Sequence, residues 1–232
     1  AGAFGGMEGL VAAAKAEGKL NVIALPPDWA NYGEIIKGFQ AKYPEIKITS
    51  DQPDASSADE IATAERLKGQ AGAPDVFDLG AAVALANTDK YAAYKVATWD
   101  DIPADLKDAN GLWVNDYGGY MSIGYDSAKV PAPTNVADLL KADYKGKVAL
   151  NGNPTEAGAA FAGVQMVSIA QGGTAADLTK GVDFFKQLTQ AGNFLPVDPT
   201  PATVESGQTP LVIDWDYLNA GLAAKLPTWK VM

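Results

Sequence analysis

The order of apolar and polar positions along the first half of the chain predicts alternating strands and helices. Short β-branched runs bounded by Gly and Pro are typical of buried strands, whereas apolar residues at helical spacing predict helices. Ser57, with Glu60 three residues later, predicts a capping box at the start of one helix. The pattern predicts strands at residues 19–25, 46–50 and 74–80 and helices at residues 32–43 and 57–68. This alternation is typical of a parallel α/β sheet.

The second half of the chain repeats the alternation after a loop-rich stretch. The run "YGGYMSIGYD" at residues 117–126 is extended and rich in glycine. Beyond it, the pattern predicts strands at residues 146–151, 194–197 and 210–214 and helices at residues 154–170, 174–191, near 203 and 216–225. We therefore predict two α/β lobes, residues 1–118 and 119–232, with a hinge crossover near 117–126 and a cleft between the lobes. The strand ends of both lobes are expected to face that cleft.

Charge excludes one class of partner. The 232 residues are 47% hydrophobic, which predicts a globular protein with a substantial core. Eighteen basic and 28 acidic residues give a net charge of −10, and Arg66 is the sole arginine. Phosphate backbones are bound by clustered Lys and Arg, so we expect no nucleic-acid partner.

The chain contains no cysteine and no histidine. This composition excludes disulfides, zinc fingers, a cysteine nucleophile and an imidazole base, and we predict no metal and no cofactor. A lack of cysteine fits an oxidising compartment. No stretch reaches the roughly 18 apolar residues of a membrane span. The start "AGAFGG" fits a chain that follows signal-peptide cleavage, although a recombinant start would look the same.

The stretch "VIDWDYLN" places two carboxylates and two aromatic rings at the end of a predicted strand. An ammonium group against Trp215 or Tyr217 would gain a cation–π energy of about 0.5 to 2 kcal/mol. Asp214 or Asp216 would add a charge-assisted hydrogen bond. Alternatively, Asp216 caps the following helix and Trp215 packs in the core.

The loop "PPDWANYGE" follows the first strand of the first lobe. Trp29 and Tyr32 are candidates for the opposite wall of an aromatic site, but Asp28 or Asn31 could equally cap the next helix while Tyr32 begins its apolar stripe. Asp78, at the end of the third predicted strand, either reaches the ligand or caps a helix.

Three further residues, Asn153, Thr155 and Tyr120, are candidate ligand contacts. In "NGNPTEAGAAF", Asn153 as cap, Pro154 at the first helical position and Glu156 describe a helix start. Its free N–H groups, with Thr155 beside them, form a potential anion site. Tyr120 could hydrogen-bond an organic ligand at the lobe interface, although a packed strand tyrosine is more common.

The order of several segments resembles an extracellular solute-binding protein of an ABC transporter. These segments are "KLNVIALPPDWANYGEIIKGFQAKYPEIKI", "APDVFDLG", "GLWVNDYGGYMSIGYD", "DLLKADYKGKVALNGNPTEAGAAFAGV" and "GQTPLVIDWDYLNAG". The most similar subgroup is type II, whose members bind polyamines, γ-aminobutyrate, aminoethylphosphonate, thiamine or ferric ion. The resemblance implies a bilobal, periplasmic-binding-protein-like α/β fold. It also implies that the chain would cross back to the first lobe after "WKVM", so the C-terminal part of that lobe is expected to be absent here.

The resemblance implies a function and narrows the solute. Phosphonate and amino-acid binders of the family often carry arginine where Thr155 stands, and ferric-ion binders use paired tyrosines with His or Glu. We therefore expect a periplasmic receptor that closes over a small amine-bearing solute, polyamine or γ-aminobutyrate-like, and delivers it to a membrane permease. Ferric ion, thiamine or an aminophosphonate are the alternatives within this class.

An enzyme is the alternative from a different class. Bilobal α/β transferases that assemble pyrroles need a cysteine to hold their cofactor, and the chain has none. Asp214 and Asp216, close together at a strand end, diverge instead of flanking one glycosidic bond. We therefore expect a binding protein and no catalytic residues.

Overall fold

The computed structural model describes residues 2–232, which form two compact units that divide between Asn87 and Thr88. The first unit contains α1 (Met7–Glu17), β1 (Lys19–Ile23), α2 (Tyr32–Lys42), β2 (Lys47–Asp51), α3 (Ser57–Leu67) and α4 (Ala81–Ala86). The second contains β3 (Met121–Asp126), β4 (Val148–Leu150), α5 (Gly158–Ala170), α6 (Thr179–Ala191), α7 (Pro201–Glu205), β5 (Leu211–Trp215), α8 (Asp216–Lys225) and β6 (Trp229–Val231). None of the helices in residues 2–232 has the length and apolar character that crossing a lipid bilayer requires.

The first unit is built on a parallel pair of strands, β1 and β2, with Lys19 opposite Lys47 and Ile23 opposite Asp51. The predicted third strand is reduced to one bridge, between Val22 and Val76. The strand does not continue because backbone N–H groups after Val76 donate hydrogen bonds to side chains of α3 instead of to a neighbouring strand. The parallel arrangement predicted from the alternation is otherwise confirmed.

Helix α3 begins at Ser57, as predicted, but its cap is Ser56, one residue before the predicted cap. The Ser56 hydroxyl accepts the Asp59 N–H at 3.2 Å, and the Asp59 carboxylate accepts the Ser56 N–H at 3.2 Å, which completes a capping box. The predicted cap formed by Ser57 and Glu60 is therefore wrong. Both of those side chains are buried and hold the loop before α4.

The second unit has a mixed four-stranded sheet in the order β4-β5-β3-β6. Strands β4 and β5 are parallel, whereas β3 runs antiparallel to both β5 and β6. Helices α5 and α6 pack together and cover an apolar core that includes Val148, Ile213, Val164, Phe184 and Leu188. This core holds the carboxyl ends of β4 and β5 side by side.

Two predicted elements of the second unit differ in the structure. The predicted strand at 194–197 is a single bridge between Val148 and Phe194, and it stops at Pro196, which has no N–H to donate. Helix α6 begins at Thr179 instead of residue 174. The predicted lobes, residues 1–118 and 119–232, stay a prediction.

Candidate functional site

Asp214 lies at the end of β5 and is 6% exposed. Its Oδ1 accepts two hydrogen bonds at 2.8 Å, one from the side-chain amide of Asn151 and one from the backbone N–H of Trp215. Within residues 2–232, Oδ2 of Asp214 has no hydrogen-bond partner. Burial raises the pKa of Asp214 to about 6, and the two hydrogen bonds oppose this shift. Asp214 is therefore a buried carboxylate with one oxygen available that ionises close to neutral pH.

Asp216 shows the same arrangement in a more open setting. It is the first residue of α8, so it is not the residue before the helix that the capping alternative requires. Its Oδ1 accepts the backbone N–H of Tyr217 at 2.9 Å and that of Tyr120 at 3.1 Å. No other residue of 2–232 bonds to its carboxylate, which leaves Oδ2 available.

Two aromatic residues, Trp215 and Tyr217, alternate with the two aspartates in the chain. The rings of Trp215 and Tyr217 are nearly parallel, with centroids 6.4 Å apart and an interplanar angle of 10°. Tyr117 meets Tyr217 edge-on at 5.9 Å. A Cβ at Gly119 would come within 2.8 Å of the Tyr217 ring, so the close approach of the segment before β3 to this ring requires glycine. We call Asp214, Trp215, Asp216 and Tyr217 the Asp214 site.

The Tyr120 side chain is 82% exposed, but its backbone is fixed to the Asp214 site. Its carbonyl accepts the Asp216 N–H at 2.7 Å, and its N–H donates to the Asp216 carboxylate. The backbone of Tyr120 therefore orients Asp216, and the predicted ligand contact through its side chain stays a prediction.

A chain of buried hydrogen bonds supports the end of β5 from behind. The Ser122 hydroxyl donates to the Asp214 carbonyl at 3.1 Å, and Asn219 donates to the Ser122 hydroxyl at 2.9 Å. The indole N–H of Trp229 then donates to Asn219 at 3.2 Å. A Cβ on Gly124 would lie 2.0 Å from the Asn219 side-chain oxygen. This network fixes the backbone that carries Asp214.

Asn151, Ser122 and Asn219 were not among the residues predicted from the sequence. Asn151 carried a signal that could have found it, because it directly follows β4 and the carboxyl ends of parallel neighbouring strands lie together. Ser122 and Asn219 lie within elements whose pairing is known only from the fold. Their roles could not be read from spacing.

Two of the predicted ligand contacts, Tyr32 and Asp78, lie together in the first unit. The Tyr32 hydroxyl donates to the Asp78 carboxylate at 2.8 Å, and Tyr32 is buried. The Asp78 N–H donates to the Glu60 carboxyl group at 3.1 Å, and the Gly80 N–H donates to the Ser57 hydroxyl at 2.9 Å. Tyr32, Asp78, Glu60 and Ser57 form what we call the Glu60 cluster.

Burial makes Glu60 an unusually weak acid. It raises the pKa of Glu60 to about 9, the bond from the Asp78 N–H opposes the shift, and the Asp78 charge adds to it. Glu60 is therefore uncharged at neutral pH. Trp29 lies half-buried in the turn before α2, where its N–H donates to the Pro26 carbonyl at 3.0 Å. Asn31, at the position before α2, makes no side-chain cap.

Asn153 and Thr155 do not begin a helix. The Asn153 side chain accepts the N–H and the hydroxyl of Thr155, at 3.0 and 2.9 Å, while α5 starts at Gly158 after an extended Ala157. The predicted helix start at Asn153, with its anion site, is therefore wrong. Thr155 and Pro154 instead border an apolar cavity of about 640 Å³ lined also by Phe161, Phe185 and Phe194.

No group of three or more acidic residues within 2–232 is placed to hold a metal ion. The available carboxylate oxygens of Asp214 and Asp216 can accept hydrogen bonds from a cationic donor, and an aromatic face can attract a cation.

Similar structures show which fold this is. The periplasmic binding protein P5PA matches with a TM-score of 0.71 and 16% identity, over 93% of this chain and 69% of that chain. AfuA from Actinobacillus pleuropneumoniae, with fructose-6-phosphate bound, gives a TM-score of 0.64 and 16% identity over 91% of this chain and 67% of that chain. A putative spermidine/putrescine ABC transporter protein from Listeria monocytogenes gives 0.63 and 11% identity over 93% and 68%. The predicted fold class, a type II periplasmic-binding-protein-like α/β fold, is confirmed.

Sequence comparison identifies the family. No curated protein sequence matches the chain. Residues 70–230, well over half of the chain, match the family of bacterial extracellular solute-binding proteins, which confirms the resemblance inferred from the segment order. Members of this family bind solutes and the match gives no support to an enzyme. The chain belongs to the family of bacterial extracellular solute-binding proteins.

Proposed function

We propose that the chain is the periplasmic receptor of an ABC importer and that it binds a small amine-bearing solute, polyamine or γ-aminobutyrate-like, at the Asp214 site. One observation carries this proposal. Asp214 and Asp216 each keep one carboxylate oxygen without a partner in residues 2–232, and the nearly parallel rings of Trp215 and Tyr217 belong to the residues that alternate with them in the chain.

The physics of such a site favours an ammonium group. A cation over an aromatic face gains about 0.5 to 2 kcal/mol, and more where water is excluded. Hydrogen bonds between an ammonium and a carboxylate are roughly twice as strong as neutral ones. Because Asp214 is buried, an ammonium bound at Oδ2 would also lower the cost of ionising that carboxylate.

The similar proteins support the class of cargo and the partner. The Listeria protein is described as a putative spermidine/putrescine ABC transporter protein, and such cargo is amine-bearing. A membrane permease is accordingly the proposed partner of this chain, and the periplasm is its proposed location, after removal of a signal peptide. The proposed partners do not include nucleic acid.

A strongly anionic solute is less well supported. AfuA is described with fructose-6-phosphate bound, so this fold also accommodates phosphate esters. In the present chain, however, the sole arginine, Arg66, is exposed on α3, and the Asn153 turn offers no helix start. An aminophosphonate, thiamine or ferric ion is therefore the second choice of solute. No contact within residues 2–232 favours any of the three.

Titration of the Asp214→Asn variant by calorimetry tests the proposal. Putrescine should bind the parent protein and bind Asp214→Asn at least tenfold more weakly at about pH 7.5, because the variant lacks the charge that pairs with the ammonium. Asp143→Asn is the matched control, since Asp143 is exposed in the same unit. Its affinity should equal that of the parent.

The same titration repeated at lower pH gives a second readout. Protonation of Asp214, whose pKa is about 6, removes the counter-charge, so parental affinity should fall as pH drops below that value, by up to tenfold per pH unit. Asp214→Asn should show a flat profile over this range. If Asp214→Asn and Asp216→Asn both bind putrescine and γ-aminobutyrate as tightly as the parent, the proposed site is wrong.

A further inference from the structure

We propose that the Asp214 site selects alkylammonium groups against guanidinium groups, because each of its two carboxylates offers a ligand only one oxygen. This inference rests on the proposed function and names the cationic group that the site accepts. At Asp214, we assign this selection to Asn151.

The geometry shows how one oxygen of each carboxylate is occupied. Oδ1 of Asp214 accepts both the Asn151 side-chain amide and the Trp215 N–H. Oδ1 of Asp216 accepts both the Tyr120 and the Tyr217 N–H groups. A carboxylate oxygen has two lone pairs, so both lone pairs of each Oδ1 are used within the protein.

A guanidinium group gains most from a carboxylate that offers both oxygens. Its planar fork forms two parallel N–H···O bonds, one to each oxygen of the same carboxylate. At Asp214 the fork finds Oδ2 available and Oδ1 saturated, so one of its two bonds is lost. An ammonium is a compact charge with three donors that need no paired acceptors, and it loses nothing at a single oxygen.

The aromatic wall does not produce this preference. Guanidinium groups stack on aromatic faces at least as well as ammonium groups do, and the parallel pair of Trp215 and Tyr217 would accept either. The discrimination therefore comes from the carboxylates. The side-chain amide of Asn151 is the occupying donor that a substitution can remove, since the other three donors are backbone N–H groups.

Two matched ligand pairs test the inference by calorimetry at about pH 7.5. Putrescine is compared with 1,4-diguanidinobutane, and γ-aminobutyrate with 4-guanidinobutyrate. For whichever pair the parent protein binds, we expect the ammonium ligand to have at least tenfold higher affinity than its guanidinium counterpart. In Asn151→Ala, which frees one lone pair of Asp214 Oδ1, this ratio should fall at least threefold because the guanidinium member gains. Asn110→Ala, an exposed asparagine in the same unit, should keep the parental ratio.

The outcomes separate this inference from the proposed function. Equal affinity of the two members of a pair for the parent overturns the selection while the amine receptor stands. A parental preference that persists unchanged in folded Asn151→Ala overturns the role of Asn151 and of the occupied oxygen, since the larger size of guanidinium then explains the preference. If Asn151→Ala does not fold, the parental ratio decides the selection. Failure of both ammonium ligands to bind the parent overturns the proposed function and the inference together.

Discussion

The Glu60 cluster and the Asp214 site both combine carboxylic acids with aromatic side chains, and they differ in the partners and in the charge of those acids. In the Glu60 cluster, Asp78 accepts the Tyr32 hydroxyl and Glu60 accepts the Asp78 N–H, so the acids organise a loop of their own unit. In the Asp214 site, each aspartate keeps an oxygen that no group of residues 2–232 occupies. An acid beside an aromatic ring can therefore serve the fold of its own unit, as Asp78 does, or keep an oxygen that its unit does not use, as Asp214 does.

The two groups of residues also differ in charge. Burial raises the pKa of both Glu60 and Asp214, to about 9 and about 6. At neutral pH Glu60 is consequently protonated and Asp214 mostly ionised. The first acts as a neutral hydrogen-bonding group, whereas the second carries a charge that a cation can neutralise.

The largest expected effect concerns the pH dependence of stability through Glu60. Its folded-state pKa is above the value of 4.5 that applies when it is exposed, so between about pH 4.5 and 9 the folded protein binds more protons than the unfolded chain. The free energy of unfolding of the parent should therefore fall as pH rises through this window. In the parent, this loss should be on the order of 1 kcal/mol per pH unit. Glu60→Gln, which mimics the protonated acid and cannot ionise, should not show it.

Urea unfolding of the parent and Glu60→Gln at about pH 5, 7 and 9 measures this difference. The titration of Asp214 occurs in both proteins and cancels in the comparison. Parallel stability profiles for the two proteins would contradict a protonated Glu60, and the contrast between the two groups of acids would then be lost.

The next largest effect is expected at the aromatic wall of the Asp214 site. Trp215→Ala should weaken putrescine binding by about 2 to 4 kcal/mol, because the cation–π contact and the apolar contact area are lost together. Trp215→Phe, which keeps an aromatic face, should lose less. Calorimetry gives the affinities, and melting curves of the ligand-free proteins show whether Trp215 serves the core instead. A large loss of melting temperature with unchanged affinity would favour that structural role.

The smallest effect is expected at Tyr32, which was a ligand candidate from the sequence. If its hydroxyl serves Asp78, Tyr32→Phe should lower the free energy of unfolding by about 1 kcal/mol and change putrescine affinity less than twofold. Tyr43→Phe is the matched control in the same unit and should be near neutral. A tenfold loss of affinity in Tyr32→Phe would instead place this residue in the ligand wall, as the sequence predicted.

Several elements were predictable because their signals are local. Helix α8 has the predicted limits, Asp216–Lys225, since the strand before it ends in polar residues and the helical pattern begins at once. The strands β1, β2, β4 and β5 overlap the predicted strands, with ends that differ by no more than a few residues. Apolar periodicity decides which face is buried, and this physical signal requires no knowledge of distant residues.

The incorrect predictions arose where a side chain had a choice of partners. Asn153 precedes a proline and a glutamate, which is typical of a helix start, yet its amide oxygen bonds to Thr155 and forms a tight turn. Ser57 and Glu60 fit a capping box, but Ser56 and Asp59 form it. Ser57 and Glu60 instead accept hydrogen bonds from the loop before α4, which lies far away in the chain and which the local pattern does not reveal.

The sequence by itself determined the α/β fold class, the family and the position of Asp214, Trp215, Asp216 and Tyr217 at a strand end. These follow from apolar periodicity and segment order, which are properties of the chain read locally. Only the tertiary structure decided how fully these carboxylate oxygens are occupied, because one of the two donors to each comes from far away in the chain, Asn151 for Asp214 and Tyr120 for Asp216. Hydrogen bonding is directional and short in range, so the availability of an acceptor is settled by the neighbours that the fold brings within about 3 Å.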